Sequence, residues 1–185
     1  EEIFSDVSIA GILVCSATDT HADLIEQAVA SGKHVFCEKP IDLSLARVQQ
    51  VVAKVNASPI TSMLAFNRRF DSNFALLQQR VAAGDIGDVE LVSIISKDPS
   101  PPPVDYIKVS GGLFRDMTIH DFDMARFLLG EEVVQVTAQA SCLVDPAIGL
   151  AGDVDTALVT LRTASGKLAQ ISNSRRASFG YDQRF

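Results

Sequence analysis

The sequence predicts an α/β region followed by an α+β region, and three observations support this fold class. Residues 6–85 alternate apolar runs with amphipathic segments, a pattern typical of a parallel sheet with crossover helices. After Gly87 long period-two segments predominate, which favours an open, mostly antiparallel sheet. Of the 185 residues, 47% are hydrophobic and 21% are charged, so the chain has enough apolar side chains to bury a core.

The elements of the first region follow from local patterns. The nearly continuous apolar sequence of residues 6–17 predicts a strand buried on both faces. In the next helix Thr20 and Asp23 have the spacing of a capping box, and Gly32 stands where a helix-ending glycine belongs. Asp71 is a candidate cap for a third helix that stops near Gly84. The predicted order is strand 6–17, helix 20–33, strand 34–40, helix 42–58, strand 59–67 and helix 71–87.

The second region begins with a long predicted strand at 88–98, and a stiff proline-rich break at 99–103 follows it. Residues 111–130 predict one amphipathic helix behind a glycine turn, with an apolar face that includes Met124. A strand at 132–144 precedes two alternating segments that join at a Ser165-Gly166 turn, which is a hairpin signal. The change of pattern near residue 86 predicts two domains, 1–86 and 87–185.

Composition excludes several classes of partner. The net charge is −7 and no cluster of Lys or Arg is present, which argues against nucleic acid and anionic membranes. No apolar run approaches the roughly 20 residues of a membrane-spanning helix, and the first residues lack the basic region of a signal peptide. Cys15, Cys37 and Cys142 are widely spaced, so we expect buried, reduced thiols in a cytoplasmic protein and no metal site.

The first candidate for chemistry is Lys39, within the segment CEKPI. It follows a predicted parallel strand, and ligands of open α/β sheets bind outside the carboxyl ends of the strands. The alternative is a solvated loop lysine before a turn proline. Both readings remain open from these residues alone.

The second candidate is the pair Asp116 and His120, which i,i+4 spacing places on one face of a helix. A carboxylate one turn from an imidazole can orient it, or share a substrate hydroxyl with it. Alternatively, Asp116 only complements the helix dipole beside a half-buried histidine. A metal site that adds Asp121 ranks last, because Asp121 points about 100° away from His120. Asp123 and Arg126 are expected in surface or interdomain ion pairs.

Two further pairs could reach the same cleft. Arg68 and Arg69 follow a predicted strand, and a guanidinium suits polyol or carboxylate groups. Lys97 and Asp98 end the first long strand of the second region, although each could simply be exposed before the proline break. No GxGxxG turn, GxSxG elbow, phosphate-binding P-loop or HExxH motif is present in the sequence.

These motifs together resemble the glucose–fructose oxidoreductase/inositol dehydrogenase/rhizopine-catabolism (Gfo/Idh/MocA) family of nicotinamide-dependent oxidoreductases. The segment ATDTHADLIEQAVASGKHVFCEKPIDLSLARVQQ looks like the part of the family that ends in its Glu-Lys-Pro signature. GGLFRDMTIHDFDMARFLLG is similar to the family's Asp-x-x-x-His helix. Within the family, FNRRFDSNF and the second motif look most like inositol 2-dehydrogenases, while relatives with other substrates share both signatures.

The resemblance implies a partial Rossmann-type sheet, a second domain that mediates oligomerisation, often to a tetramer, and site residues for each role. Lys39, Asp116 and His120 would be catalytic, and Arg68 and Lys97 would bind substrate. The expected cofactor is NAD, with NADP not excluded, and the expected reaction is oxidation of a secondary hydroxyl of a cyclic polyol, myo-inositol first. The residues expected to line the cofactor are Ser16, Thr18, His21 and Glu38.

The family's glycine-rich turn and acidic ribose-binding residue are not in this sequence, so we expect an internal fragment of a longer enzyme. Two alternatives accompany this expectation. The enzyme could act on another sugar or polyol, or the chain could be a noncatalytic module.

Overall fold

The computed structural model describes residues 2–185, and the chain forms two compact units. The first ends at Phe66 and the second spans Asn67–Phe185. This division comes before the change of pattern near residue 86. The reason is the helix Ser72–Ala82, whose residues Phe74 and Leu77 pack against the core of the second unit. Strand–helix alternation along the chain does not reveal which sheet a helix covers.

The first unit holds three parallel strands and the helices that connect them. Its elements are α1 Glu2–Ser5, β1 Gly11–Val14, α2 Thr18–Ala30, β2 His34–Cys37, α3 Leu45–Asn56 and β3 Ser62–Leu64. The strand order is β1-β2-β3, and both neighbouring pairs are parallel. The predicted α/β alternation is confirmed in this unit.

In the part of the chain that the structure describes, the core of this unit lies on one face of the sheet. Val14, Val35 and Cys37 pack with Ile25 of α2 and Val51 of α3 in one cluster. Both crossovers advance in the same direction, and right-handed connections then place both helices on the same face. The expectation that the first strand is buried on both faces was therefore wrong, and Leu13 is 75% exposed.

The ends of α2 differ in how well the sequence predicted them. The capping box was wrong: the helix begins after Ala17, no side chain caps it, and the Thr20 hydroxyl bonds the Ala17 carbonyl from within the first turn. Gly32 does follow the helix with φ +67°, a left-handed conformation that glycine adopts without strain.

The second unit packs helices against one five-stranded sheet. It opens with a 3₁₀ turn, Asn67–Phe70. Its further elements are α4 Ser72–Ala82, β4 Leu91–Lys97, α5 Val104–Ser110, a π-helix Phe114–Thr118, α6 Ile119–Leu129, β5 Val133–Ser141, α7 Pro146–Leu150, β6 Thr156–Thr163, β7 Leu168–Ser174 and β8 Asp182–Arg184. Asp71 caps α4 as predicted, accepting hydrogen bonds from the N–H groups of Asn73 and Phe74.

The strand order of the second sheet is β5-β6-β7-β4-β8. The β6–β7 hairpin turns at Ser165-Gly166, as predicted. Within the described residues only the β4–β7 pair is parallel, and the other three neighbouring pairs are antiparallel. The expected open, mostly antiparallel sheet is confirmed.

The core of the second unit lies between this sheet and α6. Ile94, Val159 and Ile171 project from three strands and pack against Met124 and Leu128 of α6. The opposite face of the sheet remains exposed, and Leu158 at its centre is 61% accessible. Alternation along the strands therefore separates a covered face from an open one.

The predicted glycine turn and the helix that follows it are both present, but the helix is not a regular α-helix throughout. The unpredicted helix α5 ends at Gly111, where φ is +87°, and Gly112 follows with φ +77°. A π-helix then precedes α6, so Asp116 lies in a wide turn rather than in a regular α-helix. Such π turns occur frequently at functional sites. Asp116 and His120 therefore lie on either side of the junction between the π-helix and α6, and they are not related by regular i,i+4 α-helical geometry.

Candidate active site

A polar cavity of about 470 Å³ lies within the second unit. Its volume falls inside the range of roughly 300–1,000 Å³ that is usual for small-molecule sites. The lining residues are Asn67, Arg68, Phe70, Asp71, Phe74, His120, Tyr181 and Gln183. An imidazole, a guanidinium, a phenol and two amides can all exchange hydrogen bonds with hydroxyl groups. The cavity is therefore suited to a small ligand rich in hydroxyls.

His120 is the second residue of α6 and is half-buried at the cavity wall. The preceding π-helix and Gly112 fix where α6 begins, and so determine where this imidazole lies. The next residue, Asp121, is fully buried. Neighbouring positions on α6 thus serve different purposes.

Arg68 reaches the same cavity and is held there by a buried network. Its Nη1 donates to Asp121 Oδ1 at 2.5 Å, and Asn173 Nδ2 donates to Asp121 Oδ2 at 2.7 Å. The Thr118 hydroxyl completes the chain with a 2.7 Å bond to Asn173 Oδ1. Burial raises the pKa of Asp121, and the charge of Arg68 opposes that rise. The Asp121 carboxylate is already bonded on both oxygens by protein groups.

Arg69, the other member of the arginine pair, has a different partner. Its Nε and Nη2 donate to the two carboxylate oxygens of Asp123 at 2.7 and 2.6 Å, which is a bidentate pair. Asp123 therefore makes the ion pair expected of it, but at 5% exposure it does not lie at the surface. The pair joins the 3₁₀ turn to α6 inside one unit, while Arg126 does pair with Glu132 at the surface.

Asp116 lies beside a phenol and a buried cation. The Tyr106 hydroxyl donates to Asp116 Oδ1 at 2.9 Å, and Arg175 Nη1 is 3.6 Å from Asp116 Oδ2. Burial and this hydrogen bond raise the pKa of Tyr106 to about 12, so Tyr106 remains a donor at neutral pH. Elements α5, the π-helix and the end of β7 thereby meet at one carboxylate.

Lys97, the last residue of β4, and Asp98, which follows it, have different surroundings. Asp98 is half-buried near Arg175. Burial raises the pKa of Asp98 overall, and the charge of Arg175 opposes that rise. Lys97 follows the strand alternation onto the face opposite Ser96, and it does not line the cavity that holds His120. A substrate contact from Lys97 stays a prediction without support from this cavity.

The expected residues of the first unit gather at the carboxyl ends of β1 and β2. Ser16 and Glu38 are exposed, while Thr18 opens α2 and Lys39 is half-buried. The Lys39–Pro40 peptide bond is cis. The position agrees with the usual place of ligands on parallel sheets, although the individual roles stay predictions.

His21 differs from the other three residues expected at the cofactor. It is 1% exposed, and its ring nitrogens lie 2.8 Å from the Pro40 carbonyl and 3.0 Å from the Ser16 carbonyl. The ring therefore links the loops that follow β1 and β2.

The sequence reasoning missed several residues of the second unit. Tyr181, Gln183 and Asn67 line the cavity, and Arg175 and Tyr106 surround Asp116. They are polar residues spread over a 3₁₀ turn, α5, the loop after β7 and the segment of β8, and hydrophobic periodicity does not single out such positions. The clustering of Tyr, Asp, Gln and Arg in the segment YDQR was the one local signal available.

Other site types find no support in the part of the chain that the structure describes. Residues 2–185 contain no group of three or more His, Cys, Asp or Glu side chains arranged to hold a metal ion. Among the same residues, no helix combines the length and hydrophobicity needed to cross a membrane. All three cysteines are free, but Cys15 is exposed and Cys142 is half-buried, so the expectation of three buried thiols holds only for Cys37.

Comparison with known proteins gives two family matches that together cover most of the chain. Residues 1–66 match the oxidoreductase family with an NAD-binding Rossmann fold, and residues 74–185 match the Gfo/Idh/MocA C-terminal domain. The chain belongs to the Gfo/Idh/MocA oxidoreductase family. The Rossmann-type assignment of the first sheet is confirmed by the same match.

Several relatives of this family are similar over the whole chain. It is 58% identical to the inositol 2-dehydrogenase of Rhizobium meliloti (strain 1021), over 100% of the chain and 56% of that protein. It is 53% identical to the myo-inositol 2-dehydrogenase of Thermotoga maritima, over 99% of the chain and 55% of that protein. The chain thus spans about half the length of these curated relatives.

A solved structure supports the fold and the family together. The crystal structure of scyllo-inositol dehydrogenase from Lactobacillus casei with bound cofactor NAD(H) and scyllo-inositol matches with a TM-score of 0.85 and 32% identity. The match covers 98% of this chain and 55% of that one. Both sheets of the present structure therefore belong to a fold that holds a dinucleotide and a cyclic polyol in a relative.

Proposed function

We propose that this chain is part of an NAD-dependent dehydrogenase that oxidises a secondary hydroxyl of a cyclic polyol, myo-inositol to its 2-ketone. The observation that carries the proposal is His120 in the wall of a polar cavity, beside Arg68 and Tyr181. The family match and the inositol dehydrogenases among the similar proteins support the same reaction.

The proposal gives each catalytic residue a distinct task. His120 accepts the hydroxyl proton, a role suited to imidazole because it gains and loses protons near neutral pH. Lys39 hydrogen-bonds the oxygen and stabilises its developing negative charge. Asp116 orients His120 and binds a neighbouring hydroxyl, while Arg68 and the phenol of Tyr181 contact further hydroxyls. Bound NAD supplies the acceptor for the hydride.

The first unit has features that fit a dinucleotide. The loops after β1 and β2 present the exposed polar residues Ser16 and Glu38 beyond the carboxyl ends of parallel strands. The first turn of α2 has no side-chain cap, so its N–H groups are not engaged by a neighbouring side chain. Calorimetric titration of the 185-residue chain with NAD, and separately with NADP, measures whether this portion binds cofactor.

The test of the catalytic assignment is His120→Ala in the longer protein. We expect kcat to fall about 10²–10⁴-fold, the usual contribution of a general base, with the Kd for NAD unchanged. His34→Ala is the matched control, because this exposed imidazole begins β2, at the strand end opposite to Glu38. Unchanged turnover in His120→Ala would remove His120 from the mechanism.

The identity of the polyol is a separate question within the same proposal. Relatives include the scyllo-inositol 2-dehydrogenase of Bacillus subtilis, at 37% identity, and the rhizopine catabolism protein MocA of Rhizobium meliloti, at 27%. A substrate screen of the longer protein with myo-inositol, scyllo-inositol, glucose and xylose decides among them. A preference for glucose or xylose would retain the family chemistry and reject the inositol assignment.

We also propose that the longer protein is a homo-oligomer, a tetramer by resemblance, assembled through the open face of the second sheet. Leu91, Leu158 and Leu168 lie on this face and are 59%, 61% and 46% exposed. Leu91 and Leu168 are register partners on adjacent strands, so their side chains form a continuous apolar area. Light scattering after size-exclusion chromatography should give an oligomer for the parent and a smaller species for Leu158→Glu.

The same proposal places the enzyme in the cytoplasm. Its three cysteines are free thiols, and cytosolic proteins rarely form disulfides. Fractionation of cells expressing the longer protein, followed by detection of the enzyme in the soluble or the membrane and secreted fractions, tests this placement.

A further inference from the structure

Arg175 is a buried cation surrounded by carboxylates. It follows β7 directly and is 1% exposed. Its Nη1 lies 3.6 Å from Asp116 Oδ2 and 3.8 Å from Asp98 Oδ2, and its Nη2 lies 3.9 Å from Asp153 Oδ2. One guanidinium therefore faces three negative groups in a region nearly closed to water.

At these distances Arg175 balances the charge of the carboxylates without forming short hydrogen bonds to them. Charge-assisted hydrogen bonds to carboxylates are usually about 2.7–2.9 Å long, and each of these pairs is longer. Nε and Nη2 of Arg175 are buried and make no hydrogen bond to the described residues. Arg175 thus acts on all three carboxylates by its charge, and a buried charge without compensation is costly.

Each carboxylate around Arg175 belongs to a different element. Asp116 lies in the π-helix and accepts from Tyr106, which comes from α5. Asp153 accepts from the Leu113 N–H at 3.1 and 3.0 Å, directly before the π-helix. Asp98 follows β4. A cation among these groups opposes their mutual repulsion and keeps the π turn in place.

We infer that Arg175 is a positioning residue, whose charge balances the carboxylates of Asp98 and Asp116 and fixes the turn that presents Asp116. The inference rests on the proposed function for its catalytic meaning, since it deepens the role given to Asp116. The effect of the Arg175 charge on the neighbouring carboxylates is a property of this chain and can be measured without a substrate.

The titration of Asp98 supports the inference. Burial raises its pKa, the charge of Arg175 lowers it, and the negative charge of Asp116 raises it again. Without Arg175 the pKa of Asp98 rises further, so the ionised form becomes less favourable in the folded protein. The stability lost with Arg175 must then grow as the pH rises through that pKa. The charged and titratable groups around the pair are Asp116, Asp153, Tyr106, Arg68 and Tyr181.

The first experiment measures thermal unfolding of the longer protein at pH 5 and pH 8. We expect Arg175→Gln to lower the Tm more at pH 8 than at pH 5, and Arg175→Gln/Asp98→Asn to recover part of the loss at pH 8. Arg176→Gln is the matched control, since the adjacent side chain is exposed. Equal losses at both pH values, or no recovery in the double variant, would overturn the inference.

A folding failure is also informative. If Arg175→Gln alone yields no folded protein, the double variant must restore it, because removing one carboxylate relieves part of the imbalance. Failure of the double variant to fold, while Asp98→Asn alone folds, counts against charge balance. Arg175→Lys, which keeps the charge, should be folded and should have the smaller pH dependence.

The second experiment follows the pH dependence of kcat/KM. In the proposed mechanism the acid limb belongs to the base, His120. Loss of the positive charge that balances Asp116 favours a protonated base beside that carboxylate, so Arg175→Gln should move the acid limb upward. Arg175→Lys should keep the parent profile. A purely structural role would reduce the rate without moving the limb, which would refute positioning. If no inositol turnover is found at all, the proposed function fails while the unfolding experiment still decides the inference.

Discussion

Replacing Asp121 with alanine removes the centre of the network that holds Arg68 in the cavity. The Asp121 carboxylate is fully buried and accepts from Arg68 Nη1 and Asn173 Nδ2. The Arg68 side chain is only 11% exposed, so it cannot regain full hydration when its partner is lost. We therefore expect a large loss of stability together with a misplaced guanidinium.

The size of the loss follows from burial. Removing one partner of a buried ion pair costs about 3–5 kcal/mol, because the remaining charge is left uncompensated. The second unit spans Asn67–Phe185. A domain of this size loses roughly 4 °C in Tm per kcal/mol, which gives a decrease of about 12–20 °C.

The assay is thermal unfolding of Asp121→Ala, monitored by circular dichroism and by calorimetry. Glu132→Ala is the control, since the Arg126–Glu132 pair is 47% and 76% exposed. Exposed pairs contribute only about 0.2–1 kcal/mol, so the control should unfold close to the parent temperature. The double variant Arg68→Met/Asp121→Leu should be more stable than Asp121→Ala, because it removes both charges and retains apolar volume.

Equal melting temperatures for Asp121→Ala and Glu132→Ala would refute this reasoning. Such a result would mean that Arg68 reaches solvent when its partner is absent. A double variant less stable than the single one would show instead that packing, rather than the uncompensated charge, dominates the loss.

The remaining predictions concern Asp155 and Gly112. Burial pushes the pKa of Asp155 upward from 3.8, but the N–H groups of 143–145 outweigh it and hold the pKa at about 2. Because the pKa of Asp155 is depressed in the folded protein, the stabilisation is complete above about pH 4 and is lost as the pH falls towards 2. Asp155→Asn should therefore lower the free energy of unfolding by about 2 kcal/mol at pH 7 and by much less near pH 2. Urea unfolding at the two pH values measures this difference. A Cβ on Gly112 would lie 2.5 Å from Asp153 Oδ1 at φ +77°. Gly112→Ala should therefore lower the Tm more than the control Gly130→Ala. A Cβ at Gly130 would meet nothing within 4 Å, so the control carries only the strain of a left-handed backbone, about 1–2 kcal/mol. Equal decreases in Tm would contradict the proposed clash.

Local patterns in the sequence determined much of the fold. The alternation of strands and helices up to Phe66, the β6–β7 hairpin and the Asp71 cap each depend on residues close together in the chain. Periodicity, turn residues and capping side chains act over a few positions, so they can be read without tertiary structure. The two signature segments identified the family for a related reason, since each is a short continuous motif.

The sequence also singled out two residues that line the cavity, but it did not determine their surroundings. His120 and Arg68 were chosen from motifs, and both line the cavity. Lys97 was chosen from its position at a strand end, but the alternation of β4 directs it to the other face. Whether a side chain at a strand end turns toward a cleft depends on register and on what covers each face.

Only the tertiary structure decided which charges meet. Asp121 pairs with Arg68 across 53 positions and with Asn173 across 52, and no local pattern encodes such distances. The π turn before α6 and the gathering of carboxylates around Arg175 likewise follow from contacts that only the folded chain makes. Charges buried at these contacts lose their hydration, so their energies are set by partners that only folding brings together.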